Sequence, residues 1–92
     1  MITLHIEHAI TDMETWRAAF DRLEAARKNA GVRTQQVRRP IEDPAYVVVD
    51  LDFDDIAAAE KFRDFLEHTV WSSGMSSPAL VGRPQTKILE SA

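Results

Sequence analysis

The chain has 92 residues, with 11 Lys and Arg against 15 Asp and Glu, a net charge of −4 and no cysteine. By surface scaling such a chain buries roughly 64% of its surface on folding, enough for one domain over residues 1–92 built from two packed layers. The acidic balance argues against a nucleic-acid partner, the missing Cys excludes disulfide frameworks and thiolate metal sites, and no apolar run approaches the ~20 residues of a membrane span. With no basic-then-apolar leader read ahead of the first strand, a cytoplasmic location is the default expectation.

Residues Ile2 to Glu7 alternate, with Ile2, Leu4 and Ile6 on one face and Thr3, His5 and Glu7 on the other, which predicts a strand. Thr11 and Glu14 then fit a capping box, with Asp12 as a second possible acceptor. Apolar residues follow at helical spacing, at Met13, Trp16, Phe20 and Leu23, up to a glycine stop at Gly31. Val32 to Arg39 carries many cations and few apolar groups, the mark of an edge strand, and Pro40 ends it. Ala45 to Phe53 is the strongest strand pattern. Ala45, Val47, Val49, Leu51 and Phe53 share one face, and Tyr46, Val48, Asp50 and Asp52 share the other.

Asp54 reads as the cap of a second helix, with Ile56, Ala59, Phe62, Phe65 and Leu66 as its buried stripe and an end near His68. Residues Thr69 to Pro84 show no period, and a short helical turn around Trp71 or an ordered lid is expected rather than a bare loop. Gln85 to Glu90 alternates again as a closing strand.

The order β-α-β-β-α-β predicts an α+β, ferredoxin-like fold. Right-handed crossovers give a four-stranded antiparallel sheet of order 4-1-3-2 with both helices on one face. The other face then presents Thr3, His5, Glu7, Tyr46, Val48, Asp50 and Asp52. That mixture suits either a second copy packed across it around a damp cavity, or a monomer with a wet sheet face.

Short motifs run in order along nearly the whole chain: Trp16 with Phe20-Asp21, Arg27 with Gly31-Val32, Asp43-Pro44 with Val47, Phe53-Asp54, Ala59 with Phe62, and Gly82 with Pro84. In these the chain resembles the dimeric α+β barrel superfamily, which includes antibiotic-biosynthesis monooxygenase-like domains. The resemblance implies the ferredoxin-like fold, a homodimer, and a small, largely apolar ligand held between facing sheets. It also implies cofactor-free monooxygenase- or cyclase-like chemistry, with a non-catalytic ligand-binding or protein-interaction dimer as the alternative. The Asn, Trp and His constellation of the family's enzymes is not reproduced: Asn29, the only Asn, falls at the end of the first helix, and His68 precedes Trp71 at the wrong spacing. No catalytic residue is carried over.

From the residues themselves, His5 is the leading acid/base candidate, with Asp50 on the neighbouring strand able to orient it if the register allows. The bland alternative is a partly solvated pair. Tyr46 offers a hydroxyl to a sheet-face cavity or packs across strands. Trp16 reads as core whose ring lines a cavity, and Trp71 as a dimer contact or lid anchor. No metal site is expected, since His5 and His8 point to opposite faces of a strand and the Asp50–Asp55 cluster has Asp55 and Lys61 where a calcium loop needs Gly and Glu. No cofactor is expected either: three glycines build no phosphate cradle, and the serines at 72, 73, 76 and 77 form no nucleophile elbow.

Overall fold

A computed structural model describes all of residues 1–92. Strands β1 (Ile2–Ile10), β2 (Thr34–Arg38), β3 (Tyr46–Phe53) and β4 (Leu80–Glu90) form one antiparallel sheet in the order β2-β3-β1-β4. This is the expected 4-1-3-2 ferredoxin-like topology. Helices α1 (Met13–Arg22), α2 (Glu24–Ala30) and α3 (Ile56–Phe65) pack on one face. The core is made where two periods meet. Leu4, Ile6, Val47, Val49, Leu51 and Phe53 supply the sheet side at period two, and Trp16, Ala19, Ala59 and Phe62 supply the helix side. Ile56, expected in the buried stripe, is half exposed. No helix is long and apolar enough to cross a membrane.

The element ends depart from the sequence reading for local reasons. Asp12, not Thr11, caps α1: its carboxylate accepts from the Thr15 N–H at 2.7 Å, and Thr11 lies one residue outside. The single helix expected up to Gly31 is divided at Leu23. There the Phe20 carbonyl accepts the Leu23 N–H at 3.1 Å and the Arg27 guanidinium at 2.5 Å, so it is not left to continue the α-helical ladder. Gly31, at φ 96°, closes α2 with the paired Gly31-to-Lys28 and Val32-to-Arg27 bonds of a Schellman stop.

Asp55, not Asp54, caps α3 by accepting from Ala58 N–H at 2.8 Å, while Asp54 is drawn to the Arg33 guanidinium. A π-helical turn at Leu66–Val70 follows α3, and the chain from Trp71 to Ala79 is an ordered strap. Ser77 ties it down by donating to the carbonyls of Val70 and Ser73, and the Thr11 N–H donates to the Ala79 carbonyl. β4 therefore starts at Leu80, five residues before the expected Gln85. Between the pairs Glu7–Gln85 and Ala9–Val81, β4 sets Gly82, Arg83 and Pro84 against His8 alone. This bulge needs Gly82 at φ 74°, a conformation open to glycine, and Pro84, which has no N–H to leave unpaired.

The two caps can be separated by experiment. Asp55→Ala should cost about 1 kcal/mol in urea unfolding, and Asp54→Ala, which removes only an exposed ion pair, clearly less. A larger loss at Asp54 would place the helix start one residue earlier.

Candidate functional site

Two sites lie on opposite sides of the sheet. On the open face, the pairing of β1 with β3 sets His5 directly across from Asp50. His5 Nδ1 meets Asp50 Oδ1 at 2.7 Å and its Nε2 meets Glu7 Oε2 at 2.8 Å. Each carboxylate has a further donor: Arg38 gives a hydrogen bond to Asp50 Oδ2 at 2.6 Å, and the Tyr46 hydroxyl gives one to Glu7 Oε1 at 2.7 Å. Thr3 and Thr34 similarly donate to the two oxygens of Asp52. Ionised carboxylates only accept, so both ring nitrogens of His5 must donate, and the ring is an imidazolium. The Glu7 bond does most to raise its pKa, opposed by partial burial and reinforced by Asp50. Glu7 is correspondingly held low by His5 and then by Tyr46. The expected His5–Asp50 pair is thus brought together, but with no lone pair free. It can donate a proton; it is not poised to take one.

Beneath the sheet lies a cavity of about 70 Å³. Ile6, Val49 and Leu51 form its sheet wall, Trp16 and Phe20 stack at 4.7 Å on the α1 side, and Leu66, Val70 and Trp71 close the far side. Of its 17 lining residues only His8, Arg27, Ser76 and Ser77 are polar. Trp71 and Leu80 line both this cavity and an outer cleft bearing His68 and Arg83. Trp16 and Trp71 therefore share a pocket, but not with Tyr46, which lies on the other face. An apolar cavity thus lies under the helices, while the open face carries a charged network.

His8 is the residue that the sequence reading passed over. It is 6% exposed, and its ring meets that of Trp71 edge-on with centroids 6.5 Å apart. Its Nδ1 lies 2.9 Å from the Ala9 carbonyl oxygen. A carbonyl can only accept, so Nδ1 carries the proton, and in the neutral ring Nε2 keeps the lone pair. Burial lowers the pKa of His8, only partly offset by the Ala9 bond. The signal was available: His8 falls in phase with Ile2, Leu4, Ile6 and Ile10, the one polar residue on an apolar face. Arg27 likewise continues the Trp16, Phe20, Leu23 stripe, where an apolar residue is due.

Solved structures share this arrangement of elements. A Bordetella bronchiseptica protein assigned as an antibiotic biosynthesis monooxygenase superposes with a TM-score of 0.74 at 15% identity, over 99% of this chain and 96% of that one. This chain has their fold. Another antibiotic biosynthesis monooxygenase gives 0.66 at 12% identity over 100% and 99% of the two chains. A dimeric ferredoxin-like protein from an uncultured marine organism gives 0.62 at 14% over 99% and 96%. At these identities the likeness establishes the ferredoxin-like architecture and not the chemistry. No family model matches the chain, and no curated protein matches it in sequence.

The two histidines make opposite demands on pH. The folded state holds the His5 proton more tightly than the unfolded chain does, so its stabilisation is complete below pH 6.5 and is lost as pH rises through its higher folded value. His8 is the reverse: its contribution is complete above pH 6.5 and is lost as pH falls through its lower folded value. Melting curves taken from about pH 5 to 9 should show His5→Gln removing part of the alkaline decline and His8→Gln part of the acid decline. Unchanged profiles in both variants would contradict these environments.

Proposed function

We propose that the protein is a homodimer whose subunits face one another across the open sheet. Each subunit then binds a small, mostly apolar molecule in the cavity beneath its own sheet, where His8 acts as a general base. The His8 geometry carries this reading: a neutral imidazole with its proton on Nδ1, leaving the Nε2 lone pair free, in the wall of a cavity that is otherwise apolar save for Arg27, Ser76 and Ser77. Such a base takes a proton from a weakly acidic C–H or O–H of the bound molecule and becomes imidazolium, with no cofactor needed for that step. Cofactor-free monooxygenase- or cyclase-like chemistry begins with such a proton removal. The names of two fold neighbours, antibiotic biosynthesis monooxygenases, support this class.

The dimer is supported by the sheet face itself, which no helix covers, and by the dimeric neighbour of the same fold. Tyr46, His5 and Asp50 then belong to the interface, where a neutralised polar network spares the contact an unpaired charge. Trp16 and Trp71 belong to the ligand. A non-catalytic dimer that binds a protein partner is the second reading, favoured by the cavity's size: about 70 Å³ against the ~300 Å³ or more of common ligand pockets.

Deuterium wash-in at the α-carbon of cyclopentanone in D₂O tests the base. The wild-type protein should accelerate exchange, and His8→Gln should lower the enzymatic rate by about 10²-fold or more while His5→Gln leaves it intact. Acceleration that survives His8→Gln would remove His8 from the role, and no acceleration at all would favour the binding-only reading. Sedimentation should give about twice the 10.4 kDa chain mass; a concentration-independent monomer would overturn the dimer.

A further inference from the structure

Arg27 is the one cation in the wall of the cavity, and it is only 4% exposed. Its Nε donates to Gln35 Oε1 at 2.9 Å and its Nη1 to the Phe20 carbonyl at 2.5 Å, and its Cζ lies 3.6 Å from the centre of the Phe20 ring. Every one of these partners is uncharged. Arg27 joins none of the five ion pairs of the structure, and Asp21 and Glu24 reach it only through space, without closing to contact. A guanidinium has five N–H groups, so two used leaves three with no protein acceptor. A buried charge without a counter-ion is expensive, and proteins almost always pair one. Capping the Phe20 carbonyl and holding Gln35 require only a donor, and the Phe20 ring is the one protein group in contact here that favours a cation.

We propose that the ligand of this cavity carries a carboxylate, and that Arg27 receives it. The three unclaimed Nη hydrogens can donate to the two oxygens of a carboxylate, which would supply the missing negative charge. The apolar remainder of the ligand would lie against Trp16, Phe20 and Leu51. With about 70 Å³ to fill, the acid is compact, a short chain or a small ring rather than a long lipid. The inference rests on the reading of the cavity as a ligand site, and it adds one group to the ligand: a carboxylate carried on a small, otherwise apolar molecule.

An isosteric pair separates the two ideas. Butanoate and butanamide, titrated at pH 7 into the folded wild-type protein, should both shift the indole N–H resonances of Trp16 and Trp71, with butanoate binding about tenfold tighter. Arg27→Lys should keep part of that preference and Arg27→Gln should bring the ratio to about one. Should Arg27→Gln fail to fold, the wild-type ratio still decides. Equal binding of acid and amide would overturn the role of Arg27 and leave the cavity as a ligand site. Shifts confined to surface resonances near Lys28 and Arg33 would mark loose anion association and also overturn it. No indole shift with either probe would defeat the ligand-site reading, and this inference with it.

Discussion

The antiparallel pairing of β1 with β3, His5 opposite Asp50, is the constraint on which the rest of the molecule depends. Period two along both strands divides the sheet into an apolar side and a charged side, and the helices can cover only the first. A slip of one residue would turn Leu4 and Ile6 into water and press Thr3, His5 and Glu7 against Phe62 and Trp16. The register is therefore fixed by the core. The chain of hydrogen bonds from Arg38 through Asp50, His5 and Glu7 to Tyr46 follows from it.

One strand thus carries two histidines with opposite chemistry. His5, between two carboxylates on the open side, is held charged. His8, three residues on and under the helices, lines a largely apolar cavity, and burial lowers its pKa. Neither property belongs to histidine as such. Each follows from which face of the pleat the residue occupies and from what it meets there. The fold neighbours share the scaffold at 12 to 15% identity, so the chemistry has to be read from these side chains rather than from the architecture.

Much of the fold was legible because its two periods are clean: the alternation of β3, the α1 stripe and the glycine stop at Gly31 all say what they become. The element ends were harder to read. Adjacent acceptors, Thr11 beside Asp12 and Asp54 beside Asp55, compete for one cap, and Arg33 takes Asp54 from a distance no local rule can see. The helix break at Leu23 likewise depends on Arg27 reaching back to Phe20. In the site, His5 with Asp50 could be foreseen since both fall on the polar face of central strands. His8 and Arg27 were masked by blander roles, one weighed only as half of a metal pair and the other as part of the motif with Gly31-Val32. Both in fact interrupt apolar stripes. Trp71 could be placed only by the strap that the aperiodic 69–84 stretch folds into.

The account turns on the protonation of His8, and long-range ¹H–¹⁵N correlation spectra at neutral pH measure it directly. A neutral ring with its hydrogen on Nδ1 and an unprotonated Nε2 is expected, with a titration midpoint below 6.5. A ring with its hydrogen on Nε2, or one already charged at neutral pH, would leave the cavity without its base and contradict the account.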